Sequence, residues 1–264
     1  MKLLVNLYVK LFARQFFYKF NKALFKLGLK GMGVLNHRDV ILSGEKHLIA
    51  KILKKKIKNE QPVIFDIGAN IGNYTSLLLD SFPKAQIHAF EPHPKNYSRL
   101  TERMFTNNVK SHNIALGEEC GTLTLYDKAD ANGSTHASIY KEVISEIYKQ
   151  EVVTVDVSID TLDKVAEREG IRYIDFLKID TEGNELAILK GASRLLEESR
   201  IGYIHFEFNE MNIFSKVFFR DFVKLLHNYN FFRLLPSGLL PLGDTPLETE
   251  LFAYQNILAV PKDK

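Results

Sequence analysis

Three apolar runs in this chain end in acid, and those ends are where chemistry could be done. Val63 to Ile67 carries Asp66 into a turn made of Gly68, Ala69, Asn70, Ile71 and Gly72; Ile87 to Phe90 closes on Glu91 and Pro92; Ile174 to Ile179 closes on Asp180, Thr181, Glu182 and Gly183. A β-branched run that breaks into two glycines reads as a strand entering a tight turn before a helix. Gly68 and Gly72 let the backbone take positive φ or approach a ligand closely. The helix opened by Asn73, Tyr74 and Thr75 would offer free N–H groups to an anion. Asp66 argues against phosphate, because its charge repels a pyrophosphate and attracts a cation or an ammonium group. Ala69, Asn70 and Ile71 also fail to supply the dinucleotide fingerprint Gly-x-Gly-x-x-Gly.

Glu91 follows the first acid by roughly two dozen residues, where α/β nucleotide sites place a carboxylate on the ribose hydroxyls. S-adenosylmethionine meets these demands together, having an adenosyl ribose, an amino-acid end and a sulfonium but no phosphate. Asp180 and Glu182 are the leading groups to take a proton from an acceptor hydroxyl, with Glu207, His205 and His136 behind them. Asp180 reads equally as a cap on the helix beginning near Gly183. Lys178 reads either as a donor to the acceptor or as a buried lysine paired to an acid. Asp180, Glu182 and Glu207 could together offer oxygen ligands to magnesium or calcium, but this is the minor reading and no metal is assigned.

Such residues need elements to hold them. Besides the three runs above, Val109 to Ala115, Leu123 to Tyr126, Val152 to Val157, Tyr203 to Phe208, Phe231 to Leu235 and Phe252 to Val260 read as strands. His205 and Glu207 project to one face, because side chains alternate along a strand. Helices are expected over about 45–58, 73–82, 94–104, 184–196 and 214–229, with Thr161 or Asp160 capping a short one. Residues 127–138, rich in Asp, Ala, Asn, Gly and Ser, read as a long loop. Pro236 to Pro246 is a turn-rich link between the last two strands, which are expected to pair antiparallel. The alternation of strand and helix predicts a mostly parallel, doubly wound α/β sheet with its ligand beyond the strands' carboxyl ends.

With 264 residues the chain has room for one large domain and an appendage. The division expected is an extension over 1–35 and a single α/β domain over 36–264. Cys120 is the lone cysteine, so no internal disulfide exists and a reducing, cytoplasmic setting is expected. A net charge of +3 is too small to indicate nucleic-acid binding. It is uneven, however: the first acid is Asp39, while Lys2, Lys10, Arg14, Lys19, Lys22, Lys26 and Lys30 precede it. Residues 2–30 read as one helix, with Leu4, Leu7, Leu11, Phe16, Phe20, Leu24 and Leu27 at three- or four-residue steps. Lys10 and Arg14 interrupt the apolar run and no small-residue cleavage site follows, so neither a signal peptide nor a membrane span is expected. The helix then either lies on an anionic membrane or covers the domain or a partner with its lysines in water.

The motifs Phe65-Asp66-Ile67-Gly68-Ala69-Asn70-Ile71-Gly72, Phe90-Glu91-Pro92, Asn113-Ile114-Ala115-Leu116, Ile159-Asp160-Thr161-Leu162-Asp163 and Leu177-Lys178-Ile179-Asp180-Thr181-Glu182-Gly183-Asn184-Glu185 resemble, in order and spacing, the FkbM family of S-adenosylmethionine-dependent methyltransferases. The likeness covers roughly residues 40–260. It implies a class I methyltransferase, Rossmann-like fold: a seven-stranded sheet with helices on both faces and its last strand reversed. It also implies methylation of a hydroxyl on a sugar, glycan or polyketide-like acceptor. Carried over, Asp66, Gly68, Asn70 and Gly72 would contact the methionine end of the cofactor, Glu91 the ribose, and Asn113 the adenine edge. Lys178, Asp180 and Glu182 would face the methyl group. Two other readings compete: an NAD-dependent sugar-modifying oxidoreductase, and a non-catalytic scaffold bound to a membrane or partner.

Overall fold

Each of the acid-tipped runs becomes a strand of one sheet. The computed structural model describes residues 1–37, 39–103, 107–128, 138–147 and 149–263. Its strands are β1 (Val63–Ile67), β2 (Gln86–Phe90), β3 (Val109–His112), β4 (Ala115–Leu116), β5 (Gly121–Lys128), β6 (Val152–Asp160), β7 (Ile174–Ile179), β8 (Ile201–Phe208), β9 (Tyr229–Leu235), β10 (Gly238–Pro241) and β11 (Gln255–Pro261). Among the described residues the main sheet runs β10-β9-β11-β8-β7-β1-β2-β3, and a second sheet runs β4-β6-β5. From β3 through β8 every pairing in the main sheet is parallel. The last strand, β11, lies antiparallel between β8 and β9. This is the class I methyltransferase order, and it carries one strand beyond the seven expected. That strand, β10, forms where the turn-rich link folds back on β9.

Alternation along the strands builds two cores. Phe65, Ile67, Leu177, Ile179, Phe206 and Phe208 pack on one face against Leu162, Leu186, Leu189 and Phe222. Ile64, Ile87, Phe176, Tyr203 and Leu258 pack on the other against Leu48, Ile49, Leu53 and Leu78. Burying such side chains contributes about 1.5–3 kcal/mol each.

Several expected elements differ. The helix of residues 2–30 is two helices, Lys2–Phe12 and Tyr18–Gly31, with a short 3₁₀ turn between them. Continuing the Leu4, Leu7, Leu11 stripe lands on Arg14 and Gln15, so the apolar face is interrupted until Phe16. Asn21 closes the gap by donating to the Phe12 carbonyl at 2.9 Å. Ala115 and Leu116 leave the main sheet and pair with Ile159 and Asp160 of β6. The 184–196 helix breaks at Gly191 into Glu185–Lys190 and Ser193–Glu197. The 214–229 helix is replaced by Met211–Phe214 and Phe219–Leu225, the second starting where Glu250 accepts the Phe219 and Arg220 N–H groups at 2.8 and 3.0 Å. Thr161 caps the Leu162–Arg168 helix as expected, accepting from Lys164 N–H. Most of the 127–138 loop, His136 included, lies outside the described residues.

Candidate active site

A cleft of about 610 Å³ opens over the carboxyl ends of β1, β2, β7 and β8. Its floor begins at the first glycine turn, where the Gly68 and Ala69 N–H groups both donate to the Phe90 carbonyl, at 3.0 and 2.9 Å. Gly68 is at φ +81°, and a Cβ there would lie 1.8 Å from the Asp180 carbonyl oxygen. Only glycine allows β1 and β7 to end this close together. Asn70 lines the cleft, and its buried Oδ1 has no hydrogen-bond partner among the described residues. Gly72 is not part of the wall; at φ +82° it caps the Asn73–Ser81 helix.

At the end of β2 the Glu91 carboxylate is held from both sides. Oε2 accepts from Asn70 N–H at 2.8 Å and Oε1 from His93 N–H at 2.9 Å. Burial pushes the carboxyl up to about 7, against the opposing pull of those two bonds. Each oxygen still has accepting capacity toward the cleft that Glu91 lines. Asn113 does not line it. The Asn113 amide donates back to the Glu91 and Pro92 carbonyls at 2.9 and 3.0 Å, and its neighbour Ile114 reaches the cleft instead. With Leu116, Leu123, Leu125 and Ile139, Ile114 makes an apolar wall supplied largely by the small sheet. Leu123 and Leu125 share a face of β5, a period-two signal already present in the sequence.

The opposite wall is acidic. Asp66, Lys178 and His205 stand in register across β1, β7 and β8, on the face that also carries Ile64 and Phe176. All three are buried, so Asp66 does not reach the cleft. It accepts from Thr75 Oγ at 2.6 Å, while its other oxygen has no partner among the described residues. Burial raises its carboxyl above the ordinary range, and Lys178 partly offsets the rise. The Lys178 ammonium donates to Asp180 Oδ2 at 2.7 Å and sits 4.8 Å from the centre of the Tyr74 ring. Burial alone would lower it, but Asp180, Asp66, Glu45 and Glu207 hold it above the usual lysine value.

Two residues further along the same strands, Asp180 and Glu207 emerge into the cleft. Burial, and then the Asp180 charge, push the Glu207 carboxyl well above the usual glutamate range. His205 stays beneath them. Its Nε2 bonds Asn256 Oδ1 at 2.9 Å and its Nδ1 bonds the Tyr74 hydroxyl at 3.0 Å. Burial lowers the ring to about 3, so it is neutral, donating to Asn256 and accepting from Tyr74. With both nitrogens engaged below the cleft, His205 is removed as a base.

Glu182 lines the cleft at φ +54°, in a loop that Glu185 organises by accepting from the Thr181 N–H and hydroxyl and from Gly183 N–H, at 3.0, 3.1 and 3.1 Å. Asp180 does not cap the following helix, whose N-cap is Asn184 with no side-chain cap bond. Among the described residues no three His, Cys, Asp or Glu side chains converge as a metal would need. Tyr254, Asn209 and His37 also line the cleft without a sequence signal of their own.

The strand order and the acid-rimmed cleft define a class I methyltransferase architecture. The model of the Methyltransferase FkbM domain matches residues 66–232, and the chain belongs to that family. Methyltransferase sdnD of Sordaria araneosa is 32% identical over 49% of this chain and 60% of its own length. The 2-O-methyltransferase NoeI of Sinorhizobium fredii is 24% identical over 69% of this chain and 78% of its own. Hexuronic acid methyltransferase AglP of Haloferax volcanii is 27% identical, covering 59% of each. The chain thus spans about 60% of the first of these relatives. Among the described residues no helix is long and apolar enough to cross a membrane.

Proposed function

We propose that this chain is an S-adenosylmethionine-dependent O-methyltransferase acting on a hydroxyl of a sugar, glycan or polyketide-like acceptor. The observation that carries the reading is the buried Glu91 carboxylate, held by two backbone N–H groups and lining a nucleoside-sized cleft with the side-chain-free Gly68 turn. A volume of about 610 Å³ falls within the range of small-molecule sites. The donor set fits the cofactor: Glu91 accepts from ribose hydroxyls, the apolar wall covers a purine, and Asp180 supplies negative charge, with no Lys or Arg among the described residues that line the cleft. The unpartnered Asn70 Oδ1 adds an acceptor for the amino-acid end.

When bound, S-adenosylmethionine supplies a methyl group on a sulfonium leaving group. This chain's residues align the acceptor and handle its proton. Lys178 fixes the Asp180 carboxylate, whose free oxygen orients the acceptor hydroxyl. Glu207, whose carboxyl burial and the Asp180 charge raise, is a stronger base when ionised than an ordinary carboxylate and lines the cleft where that proton would be taken. Glu182 borders the same space. A sugar acceptor is favoured by the relative that is a hexuronic acid methyltransferase, and transfer to oxygen by the one that is a 2-O-methyltransferase. The exposed, unpaired Cys120 accords with a reducing, cytoplasmic setting.

Titration calorimetry with S-adenosylmethionine and with NAD tests the cofactor, and methyl transfer to a panel of uronic acids and deoxysugars tests the acceptor. The expected result is heat with the first compound only, weakened at least about tenfold by Glu91→Ala. Heat with NAD alone would return the chain to the oxidoreductase reading.

A further inference from the structure

The two amino-terminal helices show an apolar surface that no other described residue covers. Lys2–Phe12 buries no residue, and Tyr18–Gly31 buries only Leu29. Leu3 is 82% exposed, Leu4 71%, Phe16 88% and Leu27 66%. The two helices nonetheless hold a defined relation to each other. The Tyr8 hydroxyl donates to Asn21 Oδ1 at 2.5 Å, Asn21 donates to the Phe12 carbonyl, and Phe12 packs against the Tyr8, Phe17 and Phe20 rings. A single polar stripe, Lys2, Asn6 and Lys10, runs along the first helix, and the rest of its circumference is apolar.

Charge says what covers this surface. Residues 1–37 contain no Asp or Glu, while Lys2, Lys10, Arg14, Lys19, Lys22 and Lys26 are exposed along the pair. A second copy of the same helices would bring these cations together across the contact. A lipid surface bearing anionic headgroups instead takes the lysines at the headgroup level and the Leu and Phe side chains below it. We propose that residues 1–31 form a peripheral anchor that binds anionic membranes, lying in the interface without crossing it.

The anchor joins the domain beside the cleft. Val34 bridges Gln255, Leu35 N–H donates to the Tyr254 carbonyl at 2.8 Å, and both Tyr254 and His37 line the cleft. Membrane docking therefore holds the acceptor site within a few residues' reach of the bilayer surface. The docking itself does not rest on methyl transfer and is read without any cofactor.

The test is co-sedimentation of the full chain with phosphatidylcholine vesicles, with or without about 30% phosphatidylglycerol. It is run for the wild type, Leu3→Glu/Leu7→Glu and Lys19→Glu/Lys26→Glu. All four positions are exposed, so the variants should keep the wild-type melting temperature. The expected outcome is binding to the anionic vesicles only, weakened by raised salt, and reduced at least about tenfold in each variant. A wild type that stays in the supernatant overturns the proposal, as does equal binding by wild type and both variants. A wild-type dimer in the ultracentrifuge that Leu3→Glu/Leu7→Glu dissociates also overturns it, assigning the surface to self-association.

Discussion

Replacing Lys178 by Met keeps the volume of a buried side chain and removes a cation that Asp180, Asp66, Glu45 and Glu207 share. Lys178 is 2% exposed, bonds Asp180 at 2.7 Å, and its charge also offsets Asp66 and Glu45, both raised by their burial. Removing one partner of a buried ion pair costs about 3–5 kcal/mol, because the other charge stays behind. The Asp180 side chain is 35% open to the cleft, so water screens its share. The lower end, about 3 kcal/mol, is the expected loss, or about 6–12 °C in melting temperature. The pH dependence fixes the cause. In the wild type the raised Lys178 contributes fully below its unfolded value and is lost only as pH rises through its higher folded value. In the variant, Asp66 and Glu45 rise further without the lysine. Acids with raised folded values gain stability as pH falls through them, so the gap between the two proteins is widest near pH 8 and narrows toward pH 5. Urea melts of both proteins at the two pH values make the measurement. A difference below about 1 kcal/mol at pH 8, or one that widens on acidification, would refute the account of Lys178 as the shared counter-charge.

Three other perturbations follow from the same geometry. Because burial lifts Glu91 to about 7, S-adenosylmethionine affinity should fall up to about tenfold per pH unit below that point, and Glu91→Gln should bind weakly but without the slope in calorimetry. Glu207→Gln should lower kcat by about 10²–10⁴ and erase a limb of the pH–rate profile along which activity rises with pH above the ordinary glutamate range; an unchanged profile moves the base to Glu182 or Asp180. Gly68→Ala must accommodate a Cβ only 1.8 Å from the Asp180 carbonyl oxygen at positive φ, so it should cost about 2–3 kcal/mol in thermal melts and weaken cofactor binding.

What the sequence revealed was local. The first and fourth parallel strands, their glycine turns and Glu91 announce themselves through β-branched runs, punctuating glycines and acid placement, signals that need no partner strand. Adjacency to the glycine turn points Asp66 toward the cofactor. Alternation already opposed this, since Asp66 shares a face with Ile64 and that face is core. Asn113 is the same error by one residue: the chain turns out of β3 there, and Ile114 takes the inward position. The long helices expected at 2–30 and 214–229 fail for a different reason. Their periodicity is interrupted, and where a helix stops depends on remote groups such as Asn21 and Glu250 that satisfy its freed backbone. Strand β10 is a hairpin on the adjacent β9, whereas the apolar wall depends on β4 and β5 pairing with β6 further along the chain, which no local pattern encodes.

The placement of β11 shows why those distant pairings matter for the chemistry. Entering antiparallel between β8 and β9, it sets Asn256 opposite Glu207 and Leu258 opposite His205. Asn256 then spans the gap below the cleft: its Oδ1 accepts from His205, and its Nδ2 donates to the Tyr254 hydroxyl at 3.1 Å. The Tyr74, His205, Asn256 and Tyr254 side chains so form one directed chain of hydrogen bonds under the acids, with the Tyr254 proton left to point at an acceptor on the cleft side. Burial, with the Glu207 charge adding to it, raises the Tyr254 hydroxyl, which therefore stays protonated and serves as a donor and not a base. A parallel final strand would reverse the order of Tyr254 and Asn256 along the sheet and carry both away from Glu207. The reversed strand is thus what closes the polar row that Asp66 and Lys178 begin, and the same residue, Tyr254, accepts at its backbone the bond that fastens the amino-terminal helices beside the cleft.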